Sequence, residues 1–374
     1  QYSPDGKKIA FIEGRRTLKI RDVKSKKEVT LLTPKDLFHM RDGDKYFTWS
    51  PDSKWLLVDW SKTLSNSEVL LMAADGSKRV NLNESGYYDS SPKWVNDGKQ
   101  MIWFSNRNGL KSYATSGRSQ SDVYSMSFAQ DAWDEFNLSD EDYKLMEAIK
   151  ELEKKNKEKA KKEKNKGAKK ETDTLDKDKK KEVKLLTFDW DNMKERTKRL
   201  TIHSSKLGDA VLSKKGDKLY YLASFEGKSN LWSTDLRTKE TKMLMKLDTG
   251  FGDLEWDSEK KNLYLLSGGK ITKLNPETAK SKGVVIKGEI ELDAYAERKA
   301  MFDHVWIRTN AIFYHPDFHG INWSKMKKEY QKYLPYISNA YEFSEMLSEM
   351  LGELNVSHAG SGYRGNKVSN SDAT

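Results

Sequence analysis

The chain has 374 residues, no cysteine and a formal net charge of +10, and its 11 Trp, 17 Tyr and 13 Phe can fill a sizeable core even at a hydrophobic fraction of 36%. Disulfides and thiolate metal sites are excluded, and no apolar run approaches the roughly 18 residues that cross a bilayer, so no membrane span is expected. The basic excess is local: residues 150–184 carry sixteen Lys against nine Asp or Glu, while the rest holds 51 basic and 48 acidic residues, which argues against a nucleic-acid partner.

The first residues, "QYSPDGKKIAF", read as the middle of a repeat rather than a natural start, so the lack of a leader says nothing about targeting. "YSPDGKKIAF" (2–11) returns as "WSPDSKWLLV" (49–58), and more loosely as "SPKWVNDGKQMIWF" (91–104), "LSKKGDKLYYL" (212–222) and "WDSEKKNLYLL" (256–266). Each unit is a polar turn followed by a short alternating or apolar strand. Pro pre-sets the turn, Asp bonds its own backbone and Gly takes positive φ. Further strand pairs follow each unit, as in "EVLLMAADGSKRVNL" (68–82) and "KITKLNPETAKSKGVVI" (270–286). Gly6 to Ser53 is 47 residues, Ser53 to Gly98 is 45 and Gly216 to Glu259 is 43. A period of about 45 residues with several short strands per unit is one blade of a β-propeller. The fold class is therefore mainly β: at least five blades over residues 1–290, part of a six- or seven-bladed ring, followed by a small α-helical subdomain.

Gly98 to Gly216 spans 118 residues, so the third blade carries an insertion, assigned to about 129–184. It opens with helix-forming text and decays into Lys/Glu low complexity after Ile149, where burial no longer offsets ordering entropy. Residues 150–182 read as an exposed spike, and "VKLLTFDWDNMKERTKRLT" (183–201) as a hairpin that resumes the blade.

After Glu291 the periodicity becomes helical. Met301, Phe302, Val305, Trp306, Ile312 and Phe313 form one stripe, and 322–334 a second helix. A third opens at Asn339 with Glu342 three residues on, a capping-box spacing. Its apolar face is Phe343, Met346, Leu347, Met350, Leu351 and Leu354, with Asn355 a left-handed C-cap. Ser357 and His358 then lie on the loop that leaves this helix. A histidine base needs a rigid mount, an exposed ring nitrogen and a partner on the other nitrogen. The helix end supplies the mount, Ser357 is the near partner, and the small residues Ala359 to Gly362 leave room for an approaching substrate. His315 and His319 have the spacing of a helical zinc pair, but Pro316 and Gly320 place them in a loop. His304 reads as a partly buried structural residue, and His39 and His203 carry no signal. The chain has no phosphate loop, dinucleotide fingerprint or nucleophile elbow, and no cofactor is expected.

The propeller text followed by "DHVW", "INWSKMKKEYQKYLPYI" and "EFSEMLSEMLGELNVSHAG" resembles the tricorn protease and the bacterial tricorn-like serine peptidases, relatives of the tail-specific proteases. The likeness is loose over the propeller and more specific over about 295–360. It matches Gly352, Glu353, Leu354, Ser357 and His358 to the family's Gly-Glu-Leu and Ser-His. It implies that His358 is the general base of a serine peptidase, that Ser357 orients it, and that the nucleophile lies beyond a PDZ domain outside these residues, with 361–374 as the linker toward it. It further implies peptide substrates, a propeller that filters or docks them, a homo-oligomer, and a periplasmic location if the source is bacterial and the protein exported, otherwise a cytoplasmic one. The competing reading is a noncatalytic propeller that serves as a protein-interaction module.

Overall fold

The computed structural model describes residues 1–37, 45–63, 66–112, 119–165, 185–225 and 227–365, with the backbone alone for 154 and 157–165. Contacts divide the chain into two units, Gln1–Val285 and Ile286–Thr374.

The first unit holds five antiparallel sheets, each a meander of consecutive strands. Sheet one is β1 (Lys8–Glu13), β2 (Thr17–Asp22) and β3 (Glu28–Leu32), with an inner stub where Tyr2 bridges Ile9. Sheet two is β4 (Phe47–Trp49), β5 (Trp55–Trp60), β6 (Glu68–Ala73) and β7 (Arg79–Asn81). Sheet three is β8 (Asp89–Val95), β9 (Gln100–Ser105), β10 (Asp122–Ser127) and, beyond the insertion, β11 (Thr197–Arg199). Sheet four is β12 (Lys206–Leu212), β13 (Lys218–Ser224), β14 (Ser229–Asp235) and β15 (Thr241–Thr249). Sheet five is β16 (Gly252–Trp256), β17 (Leu263–Ser267), β18 (Lys270–Asn275) and β19 (Lys280–Val284).

The repeated polar turn joins the first strand of each blade to the second. In sheets one, two and four a serine opens it, and its hydroxyl donates to an aspartate: Ser3 to Asp5 at 2.7 Å, Ser50 to Asp52 at 2.6 Å and Ser213 to Asp217 at 2.5 Å. The same oxygen accepts the backbone N–H where the next strand begins, from Lys8, Trp55 and Lys218. In sheet five Asp257 takes the place of the serine and accepts from Asn262. The motif thus satisfies turn donors that no ladder reaches.

Strand text that alternates between two apolar sets, rather than apolar and polar, follows from burial on both faces. On β9, Met101 and Trp103 enter the cluster shared with blade two, while Ile102 enters the cluster shared with blade four. On β13, Leu219, Tyr221 and Ala223 face blade three, and Tyr220 and Leu222 face blade five. A cluster of the same kind joins blades one and two. Indoles stitch the same seams: Trp49 donates to the Gln1 carbonyl, Trp94 to Thr48 and Trp256 to Leu212, at 3.3, 3.2 and 2.8 Å. Near the inner strands, Lys93 on β8 bonds Asp209 on β12 at 2.6 Å, and the same carboxylate oxygen accepts the Leu254 N–H on β16, so one buried carboxylate ties three blades.

The insertion opens with helices, as its sequence implies, and departs from expectation at its return. It forms α1 (Gln130–Asn137) and α2 (Asp140–Asn165), and their first turns belong to the packed structure. Ala132 and Tyr143 are buried, Phe136 packs on the cluster between blades three and four, and Arg237 lies 3.6 Å above the Tyr143 ring while donating to the Leu138 carbonyl. The return is no hairpin: the described part runs without strand structure from Leu185 until β11. Phe188 and Trp190 stack at 5.1 Å, against Trp55 of blade two, with Lys78 above Trp190. Aromatic burial against a neighbouring blade outweighs the pairing a hairpin offers. Gly98 has φ +87°, and a Cβ there would lie 2.7 Å from Leu186, so this seat needs glycine. The expected spike's last part, 166–182, lies outside the described residues.

The second unit packs α3 (Ala294–Ile312), α4 (Trp323–Gln331) and α5 (Ala340–Gly352) around Phe302, Trp323, Leu334, Phe343, Met346, Leu347 and Met350. Two tryptophans exchange bonds across it: Trp306 Nε1 donates to the Trp323 carbonyl at 3.0 Å, and Trp323 Nε1 to that of Trp306 at 3.2 Å. The expected α3 stripe is narrower than the text suggested. Met301 and Ile312 are exposed, Phe313 stands past the helix end, and His304 is exposed rather than partly buried. Phe302, Val305 and Trp306 of α3 pack into the core that α4 and α5 share, and Phe313 joins it from beyond the helix end. Among the described residues no helix is long and apolar enough to cross a membrane.

Candidate functional site

The end of α5 and the loop after it form a pinned structure. Asn339 caps the helix start, its side chain accepting from the Glu342 N–H at 2.9 Å. Glu342 reaches back one residue further than a capping box requires, to Ser338, and that contact with the backbone N–H holds its carboxyl below the usual range. At the other end Tyr330 donates to Glu353 at 2.8 Å, and burial together with this bond pushes its phenol up to about 12. Asn355 has φ +52°, and its N–H bonds the Gly352 carbonyl at 2.9 Å.

The loop then comes back to its own helix. Ser361 N donates to Ser348 Oγ at 2.9 Å, that hydroxyl donates to the Ser361 carbonyl at 3.0 Å, and Ser361 Oγ lies 3.2 Å from Ser344 Oγ. Between Leu354, which is buried, and Ser361 stands a short excursion with Ser357 and His358 exposed. His358 itself has φ +63°, a left-handed conformation that a non-glycine residue holds only when its surroundings impose it. Neither Ser357 nor His358 has a hydrogen-bond partner among the described residues, so the two expected site residues are chain neighbours whose side chains share no hydrogen bond.

His315 and His319 come close without sharing a helix. Their rings are 5.0 Å apart, on the turn 313–320. His315 pairs with Asp317 through Nδ1. His319 is bonded at both nitrogens, Nδ1 to the Leu354 carbonyl at 3.3 Å and Nε2 to Tyr314 Oη at 2.6 Å. Among the described residues no group of three or more His, Cys, Asp or Glu could hold a metal ion. His203 is exposed on a loop before β12, and His39 lies outside the described residues.

The contacts of His319, Tyr330, Ser344, Ser348 and Ser361 were not read from the sequence. The one signal available was the pair Ser344 and Ser348, spaced i, i+4 on a helix whose apolar face lies beside them.

Residues 294–352 match the tricorn protease C1 domain family. That stretch begins α3 and ends with α5, six residues before His358. The chain is similar to the tricorn proteases. A protein described as a tricorn-like protease C-terminal subunit, from Sulfurisphaera tokodaii, is 23% identical over 383 residues, covering 96% of this chain and 39% of its own length. A tricorn protease homolog from Streptomyces coelicolor is 35% identical over 69 residues, covering 18% of this chain and 6% of that relative. The crystal structure of the tricorn protease shares the fold with a TM-score of 0.63 at 14% identity, over 96% of this chain and 33% of that one. The chain therefore spans about two fifths of the first relative's length and a third of the solved tricorn chain.

Proposed function

We propose that this chain supplies the general base and the substrate-docking propeller of a serine peptidase of the tricorn class. The observation that carries the reading is the position of His358: exposed, at the tip of a loop pinned at both ends, directly after the stretch that matches the tricorn C1 domain. The base would take the proton of an attacking serine hydroxyl and return it to the leaving amine. An exposed imidazole on a tethered loop suits that task, because both steps need a ring nitrogen open to the reacting groups. Ser357 would steady the ring once a nucleophile and substrate are in place. The serine itself is assigned to a segment outside these residues, and peptides or short unfolded segments are the substrates that the likeness to a protease suggests.

In the extended polypeptide that carries the nucleophile, His358→Ala is expected to lower kcat by a factor on the order of 10³ or more with little change in KM. Ser357→Ala is expected to cost roughly ten- to a hundredfold, since it removes orientation and leaves the base. The 374-residue chain by itself is expected to bind peptides without turning them over. Near wild-type turnover in a folded His358→Ala protein would end this reading.

A further inference from the structure

We propose that His319 is a positioning residue for His358: its Nδ1–H, donated to the Leu354 carbonyl, fixes the start of the loop that carries the candidate base. The inference deepens the reading of His358 as a base and rests on it for its catalytic consequence.

The bond assigns the proton. A carbonyl only accepts, so Nδ1 carries hydrogen, and in the neutral ring Nε2 then accepts from the Tyr314 hydroxyl. The imidazole is thus held at both nitrogens and cannot flip without losing both contacts. Its backbone is equally constrained. Asp317 accepts the His319 N–H at 3.0 Å, and His319 sits at φ +56°. The preceding residue, Phe318, lies between Phe313 and Trp323 in a near-parallel stack, with interplanar angles of 7° and 6° and centroids 5.1 and 5.8 Å away. Trp323 is itself buried and cross-bonded to Trp306. The ring that reaches Leu354 is therefore mounted on the aromatic core of the unit and not on a free loop.

Leu354 is where such a hold matters. Its carbonyl follows the last turn of α5, where helix carbonyls lose their intrahelical partners. The next residue turns left-handed, and so does His358 three residues later. Ser361 pins the loop's exit to α5, but that tie comes from the helix that carries the loop. His319 approaches from a different segment, so it sets the direction in which the loop departs. A base displaced by about 1 Å loses a large part of its rate.

The test uses His319→Phe, which keeps an aromatic ring against Phe313 and Tyr314 and removes both nitrogens. In the 374-residue chain, the hydrogen-bonded amides that open and close the loop, Asn355 and Ser361, are expected to exchange with solvent at least tenfold faster, while those of 343–351 within α5 keep their rates. Unchanged exchange in the loop overturns the proposal, and so does equal acceleration throughout α5, which would make His319 a general packing residue. His319→Gln, whose amide N–H can replace Nδ1–H, is expected to return loop exchange to within about threefold of wild type; a Gln variant as fast as the Phe variant also overturns it. In the extended polypeptide, the Phe variant is expected to lower kcat ten- to a hundredfold at unchanged KM, with partial rescue by Gln. His358→Ala separates the two ideas: full activity there removes the base reading, whereas the exchange experiment still decides whether His319 holds the loop.

Discussion

Asp59 shows how a single carboxyl is set by its seat between two blades. It stands on β5, accepts the Ser91 N–H from blade three at 2.9 Å, and has the Tyr46 carbonyl bonded to its own N–H. Burial pushes its carboxyl up to about 7, against the opposing pull of the Ser91 N–H and of Lys45. Lys45, whose own ammonium is pulled down by burial, donates to Ser61 rather than to this carboxylate. A carboxyl with a raised folded-state pKa favours the native state at low pH, and that contribution is lost as pH rises from about 4 to about 7. Asp59→Asn keeps an acceptor for Ser91 without the charge. Its stability profile from chemical denaturation should be flatter over that window, and the variant should be more stable than wild type at pH 8. An unchanged slope would mean that water reaches the carboxyl freely. The period of the repeat marked the inter-blade seams, but nothing in the local text set Asp59 apart from the many surface aspartates. The text marked His319 only as half of a zinc-like pair with His315, and its actual partner, Leu354, is 35 residues away.

At the scale of elements, the insertion is the informative case. Its base is closed by a buried guanidinium that meets no carboxylate among the described residues. Arg196 donates to the carbonyls of Ser127 at 3.1 Å, Asp191 at 2.9 Å, Phe128 at 3.4 Å and Asp189, so it joins the strand that leaves the blade to the segment that returns. Arg196→Ala would remove all four of these bonds from a buried site and should cost about 3 kcal/mol in denaturant unfolding. Tyr143→Ala should cost about 2 kcal/mol, through lost burial and the lost contact with Arg237. Replacing residues 154–184 by Gly/Ser text of equal length should shift Tm by no more than a degree or two. A larger drop would show that the Lys-rich stretch packs on the blades. Helical propensity and the fading of apolar residues were legible here. What escaped the sequence was the anchoring of the first helical turns and the aromatic docking of Phe188 and Trp190, because both depend on surfaces of blades two and four that lie far away in the chain.

For the molecule as a whole, the blade seams decide how cooperatively the first unit unfolds. Trp94→Phe keeps the ring against Phe128 and removes the bond to the Thr48 carbonyl, and should lower stability by about 1 kcal/mol without altering the sheets. Residues 285–293 form no helix or strand and are exposed throughout. A specific protease site placed at Gly288, where a side chain would meet nothing within 4 Å, should release two fragments that each retain secondary structure and melt separately by circular dichroism. Loss of structure in the smaller fragment would show that the helical unit does not stand alone.

The sequence by itself determined the repeat, the turn between the first two strands of a blade, the helical character of the last segment and the cap of α5. Each is written in local spacing: a period of about 45 residues, a Ser–Asp pair closing one turn, an Asn three residues before a Glu. It also singled out Ser357 and His358, through a short motif at a helix end. Only the tertiary structure decided which residues hold that loop, that His304 is exposed, that Met301 and Ile312 leave the core stripe, and that the insertion is rooted in the blades. Those outcomes depend on which surfaces meet across long sequence separations, as when Trp306 and Trp323 exchange bonds or His319 reaches Leu354. Hydrophobic periodicity states which face of an element is buried, but not what it is buried against.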